Sequence, residues 1–152
     1  MSTQVYINSS EYTKIVIPIT SEQIRALGTN PVKLLEEPGA GKYYIINQVI
    51  LEYTFNNVAY IVPSSPTIYL DGCFDSYIDI SFLTSVTNSV CSISGNLRNT
   101  ITVGSGSGSV KIITNKDILN TPLIIGTTNG DNPRTGEGTL NVIIEYKIVK
   151  FI

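Results

Sequence analysis

From Tyr43 to Phe55 the odd positions are apolar (Tyr43, Ile45, Val49, Leu51, Tyr53 and Phe55), with Asn47 the exception, while the even positions include Gln48, Glu52 and Thr54. A period of two is what a β-strand shows when one face lies on a core. The split returns at the end of the chain. Leu140, Val142, Ile144, Tyr146 and Ile148 share one face there, and Asn141, Glu145 and Lys147 the other. Composition points the same way. Ile, Val and Thr number 23, 12 and 16, against three Ala. β-branched side chains fit a pleated surface and lose rotamer freedom in a helix, so a mainly helical chain is excluded.

The 152 residues make one domain, long enough to bury roughly 68–70% of the surface its unfolded chain exposes. Only 14% of them are charged, which is low for the surface of a monomer. There is no His, which removes histidine metal sites, Ser-His-Asp triads and Cys-His dyads together. The net charge of −2 disfavours a nucleic-acid partner bound through counterion release. The N-terminus lacks a basic segment followed by an apolar run, and no run of 18 or more apolar residues is present, so a soluble protein made in a cytoplasm, with no membrane partner, is expected.

Short strands separated by Gly, Pro, Asn and Ser clusters indicate a sandwich or barrel. Residues 1–13 read as a polar N-terminal arm with Val5, Tyr6 and Ile7 as its apolar cluster, and residues 14–152 as the β domain. Ile15, Ile17 and Ile19 alternate with Val16 and Pro18, and the proline argues for an edge strand or an early end. Thr20 and Gln23 form a capping box ahead of Ile24 and Leu27, so a helical turn is expected over Ser21–Leu27, with a second turn possible over Asn115–Asn120. Further strands are expected at Pro31–Leu35, Val58–Val62, Thr67–Leu70, Tyr77–Leu83, Val90–Ile93, Leu97–Val103, Val110–Thr114 and Leu123–Ile125, which with the three above makes eleven candidate stretches for a sandwich of about nine strands.

Each candidate for chemistry has a plainer reading. Pro38-Gly39-Ala40-Gly41-Lys42 lacks the first Gly and the Ser or Thr of a phosphate-binding loop, and a strand follows it where a helix is needed. Its glycines read as turn residues with positive φ. Asp71, Asp75 and Asp79 recur every fourth residue but fall on a β-rich run without an EF-hand pattern, and read as solvated carboxylates. Glu52 and Glu145 could be posed as a glycosidase pair, yet each sits on the polar face of its strand. Asp131 to Gly136 reads as a turn-rich connection. Cys73 and Cys91 form a disulfide if two strands bring them together; two free, partly buried thiols is the preferred reading. No metal, cofactor or catalytic residue is assigned, and no enzyme is expected.

Two stretches resemble a known family. Ile17-Pro18-Ile19-Thr20-Ser21-Glu22-Gln23-Ile24-Arg25-Ala26-Leu27, leading into Asn30-Pro31-Val32-Lys33-Leu34 and Pro38-Gly39-Ala40-Gly41-Lys42, is similar to the opening of small virion proteins of tailed bacteriophages, crAss-like phages included. Asn120-Thr121-Pro122-Leu123-Ile124, then Gly136-Glu137-Gly138-Thr139-Leu140-Asn141-Val142 and Tyr146-Lys147-Ile148-Val149, is similar to the ending of the same family. Residues 63–116 resemble nothing in it.

The resemblance implies an all-β fold, a single antiparallel β-sandwich of jelly-roll type. It also implies a structural role as a head decoration, auxiliary capsid or head-fibre protein, commonly a homotrimer, on the outer head surface of the virion. The partners expected are identical chains and the major capsid protein or another virion protein. The alternative is a lectin-like sandwich, a tail or baseplate accessory, with a glycan or host surface as partner. Interface contacts are expected at Tyr60, Tyr69 and Tyr77, whose facing the pattern leaves open, and at Gly104, Gly106 and Gly108, within a run read as a mobile loop or a close-packing edge. They are also expected at Val5, Tyr6 and Ile7, which could add a strand to a partner's edge.

Overall fold

The computed structural model describes residues 12–64, 66–71, 73–94, 119–127 and 129–152, and for residues 73–79, 81, 93 and 94 it describes the backbone alone. Strand β1, Thr13–Ile19, runs into helix α1, Ser21–Arg25. Then come β2 (Val32–Leu35), β3 (Lys42–Thr54), β4 (Tyr60–Ile61), β5 (Pro66–Leu70) and β6 (Cys73–Asp79). A 3-10 turn at Ser81–Thr84 leads into β7 (Ser89–Ser94), followed by β8 (Leu123–Thr127), β9 (Arg134–Thr135) and β10 (Thr139–Lys150).

Eight of these strands form two four-stranded sheets, ordered β1-β10-β3-β7 and β2-β8-β5-β6, with every neighbouring pair antiparallel. The chain changes sheet after β1, β2, β3, β6, β7 and β8, so each sheet interleaves early strands with late ones. That is the order of a double Greek key. The fold is a jelly roll. The remaining strands, β4 and β9, pair with each other as a small ribbon. The connections 20–31, 55–64, 80–88 and 129–138 gather at one end of the sandwich. The turn at 36–41, with residues 71 and 119–122, lies at the other.

Local chemistry accounts for the elements. Proline 18 sits in β1, an edge strand paired only with β10 among the described residues, where its missing N–H leaves the β1–β10 ladder intact. The capping box closes α1. Gln23 N–H donates to Thr20 Oγ1 at 3.2 Å, and Thr20 N–H donates to Gln23 Oε1 at 2.9 Å. Ile24 and Leu27, behind the cap, are fully buried. At the opposite end Gly39 and Gly41 take φ of 113° and 73°, the positive values that a turn lacking a side chain accepts.

The core lies between the sheets. Ile19, Leu51, Tyr53, Leu140, Val142 and Ile144 supply it from one sheet, and Ile68, Leu70, Leu123 and Ile125 from the other. β3 and β10 are the two central strands of the first sheet, as their amphipathic patterns suggested. The parity of β3 needs a correction. Val49, Leu51 and Tyr53 face the core as expected, but so do Tyr44 and Ile46, and Tyr43 and Ile45 turn outward. The cause is a β-bulge. Glu145 pairs with Gln48 and Tyr146 with Ile46, so Asn47 is an extra residue that shifts the alternation by one.

Two further expectations are adjusted, and the preferred reading of Cys91 as a free thiol stands. Strand β6 ends at Asp79, and Ser81–Thr84 is a 3-10 turn whose Leu83 plugs the end of the core. Residues 134–135, read as part of a connection, form β9. Cys91 is a free thiol in β7 of the first sheet, while Cys73 belongs to β6 of the second. The strands expected at Leu97–Val103 and Val110–Thr114 and the turn at Asn115–Asn120, apart from its last two residues, lie outside the described residues.

Candidate functional site

The end of the sandwich that gathers α1, β4 and β9 holds a cleft of about 610 Å³. Ser21, Glu22 and Arg25 of α1 line it, with Asn56 and Val58 before β4 and Thr135 and Glu137 around β9. Arg25 ties the walls together. Its Nη1 donates to the carbonyl of Gly136 at 2.6 Å and to that of Thr135 at 3.4 Å, and its Nη2 stands 3.7 Å from Glu22. The Glu22 carboxyl is held below its usual range, first by hydrogen bonding to backbone N–H, then by the Thr20 hydroxyl.

The opposite wall is strained and held. Thr135 has φ of 59°, an unusual value for a β-branched residue. Its hydroxyl donates to Ala59 O at 3.1 Å, and Glu137 N–H donates to Val58 O at 3.1 Å. The glycines beside it answer to packing. A Cβ on Gly136, whose φ is 41°, would run into the ring of Tyr60, and one on Gly138 would run into Tyr53. The Tyr60 hydroxyl then donates to Gly138 O at 2.5 Å. Burial pushes the Tyr60 phenol well above its ordinary range, so it stays protonated as a donor.

Asn132 completes the arrangement, its Oδ1 accepting from the N–H groups of Gly28 and Thr29 at 2.7 and 3.0 Å. A Cβ on Gly28 would collide with the backbone of Gly130 and Asp131. Arg25 and Asn132 are thus structural fasteners, a role their sequence context did not reveal. Both depend on partners more than 100 residues away.

The candidate residues do not converge on one site. Tyr60 is 2% exposed and Tyr69 5%, so both are buried within the single chain. The reason is their place in the sandwich. Tyr60 closes over the glycines after β9, and the Tyr69 hydroxyl lies against Gly126, where a Cβ would come within 3.1 Å of it. Tyr77 lies in β6 directly across from Tyr69, and its side chain is outside the described ones. Gly104, Gly106, Gly108, Val5, Tyr6 and Ile7 also lie outside the described residues.

Asp71 is exposed, and the side chains of Asp75 and Asp79 are outside the description. Among the described residues no cluster of three or more His, Cys, Asp or Glu side chains could hold a metal ion. Glu52 pairs with Asn141 and Glu145 with Gln48, so the two carboxylates are staggered by four residues of strand. That stagger is about 13 Å, beyond the roughly 6.5–9.5 Å of an inverting glycosidase pair. Among the described residues no helix is long and apolar enough to cross a membrane.

One solved structure similar to this chain is titled as the cyanophage Pam1 capsid asymmetric unit. It aligns at 14% identity and a TM-score of 0.45, over 89% of this chain and 80% of its own. No family model matches the chain, and no curated protein matches it.

Proposed function

We propose that this chain is a structural protein of a tailed-bacteriophage virion, a decoration, auxiliary capsid or head-fibre subunit that binds the outer head surface as a homotrimer. The observation that carries the reading is the meeting of the two phrases that resemble such proteins. The opening phrase supplies part of β1, with α1 and β2; the closing phrase supplies β10 and the glycines before it. They join through the β1–β10 ladder and the Arg25–Gly136 hydrogen bond. Across the two phrases Thr20, Gln23, Gly136 and Gly138 work in packing and capping, as a scaffold requires, and no catalytic activity forms part of the reading.

Mass spectrometry of gradient-purified particles tests the function. The chain should be present in stoichiometric amounts, and its absence from particles overturns the reading. The N-terminal arm is proposed to fix the subunit to a neighbouring virion protein, and removal of residues 1–13 should then reduce incorporation.

The alternative, a carbohydrate- or host-surface-binding module, has the polar cleft beside Asn56 and Glu137 in its favour. Against it, Tyr53 and Tyr60, the tyrosines packed beneath that cleft, are buried and offer no ring for a sugar to stack on. A glycan array would decide for this alternative if a defined sugar bound.

A further inference from the structure

The two outer faces of the sandwich differ. In the second sheet β5 is buried at all five positions, Thr67 and Tyr69 of its outward face included. The outward face of the first sheet is covered less, and Ile50 and Ile143 at its centre are partly exposed. Its outward positions alternate with core residues that are 1% exposed or less: Ile50 lies between Val49 and Leu51, and Ile143 between Val142 and Ile144. Register places Val16, Ile143 and Ile50 side by side in one row across β1, β10 and β3. Val16 is 58% exposed, and Val90, one row on, is 72% exposed. Rows with polar residues on the central strands flank this apolar one: Lys14, Glu145 and Gln48 on one side, and on the other Asn141 and Glu52, with Pro18 and Val90 at the ends of that row.

We infer that this outward face is where copies of the chain meet, packed about a symmetry axis that runs parallel to the strands. The inference rests on the homotrimer proposed above and names its interface: the axis is then three-fold, and each copy turns this face toward both neighbours. Charge selects the occupant. A rotation axis parallel to the strands keeps each row level with itself and brings the β10 side of one copy to the β3 side of the next. Ile143 then meets Ile50 of the neighbouring copy, the Glu145 carboxylate meets the Gln48 amide, and the Asn141 amide meets the Glu52 carboxylate. Each carboxylate faces a donor and the apolar row closes on itself, so the face complements its own copy without opposing like charges.

β3 and β10 run 13 and 12 residues and β1 and β7 run seven and six. At about 3.3 Å per residue and about 4.8 Å between strands the face covers roughly 600 Å² in projection, which each copy of a trimer divides between its two neighbours.

Light scattering of the full chain and of Ile143→Lys is the first test. The wild type should run as an oligomer, and the variant should fall to the protomer mass with its far-UV spectrum unchanged. Because a lysine at that position could also disturb folding, a second test uses Glu145→Cys and Gln48→Cys as two separate chains, each also carrying Cys73→Ala and Cys91→Ala. Backbones packed through their side chains stand about 10 Å apart, too far for a disulfide but within reach of a short bismaleimide. When the two chains are mixed, a linked pair containing one of each should form. An oligomer that keeps its mass with Ile143→Lys, or yields no linked pair, overturns this face while leaving the oligomer standing. A monomeric wild type overturns the oligomer itself, and with it this interface.

Discussion

The Asn47 side chain donates a hydrogen bond to the carboxylate of Glu145, across the point where β10 changes register against β3. Asn47 is the bulge residue, and the bond anchors it on the outward face. Without the bulge, continued alternation from Val49 would turn Asn47 into the core, with Ile45 and Tyr43 after it. The bulge keeps an amide in solvent and hands the core to Ile46 and Tyr44.

Truncating two neighbouring isoleucines checks that reading. Ile46→Ala should cost about 2–5 kcal/mol, the usual range for a buried truncation. Ile45→Ala should cost about 0.5 kcal/mol, as at ordinary outward positions. Urea unfolding of the two variants decides, and the reverse order would mean that the alternation runs straight through Asn47.

Gly136→Ala should destabilise by about 2 kcal/mol or more. It places a Cβ in the Tyr60 ring at a backbone angle that favours glycine. Shrinking the ring should recover part of the loss, so Gly136→Ala combined with Tyr60→Leu should lose less than the two single changes added together. A thermal-melt double-mutant cycle measures that coupling, and strict additivity would place Tyr60 elsewhere.

Burial, with the nearby Tyr146 adding to it, pushes the Tyr44 phenol up to about 12 from its ordinary value near 10. Its hydroxyl donates to Glu36 O and must be protonated to do so. A group whose pKa is raised on folding gives its full stability below the unfolded value and loses it as pH rises through the folded one. Between about pH 10 and pH 12 the unfolded chain therefore ionises first, and stability should fall. Tyr44→Phe should flatten the melting-temperature profile in that window while leaving its shape near neutrality unchanged.

Chelation should leave the melting temperature where it is. A metal bound only by the folded state would raise it by mass action, and EDTA would then lower it. A clear drop would return attention to Asp71, Asp75 and Asp79.

Much of this fold is local and was legible in the chain. The capping box at Thr20 and Gln23, the edge position of Pro18, the turn glycines Gly39 and Gly41 and the amphipathic patterns of β3 and β10 all act within a few residues of themselves. Their physics is readable from spacing alone. The bulge was written there only as an anomaly, the polar Asn47 at an apolar position, because a shift in register exists only relative to a partner strand. The roles of Arg25, Asn132, Gly136 and Tyr60 needed the tertiary structure, since each is defined by a contact with a distant segment. The facing of Tyr60 and Tyr69 needed it too: a short strand's periodicity cannot say whether its second face is covered. The sequence by itself determined that this chain is all-β, a sandwich or barrel, through the period-two burial of β-branched residues. Only the tertiary structure decided that the two strand orders make a jelly roll and which outward face is covered more, because both depend on what distant parts of the chain lay against each sheet.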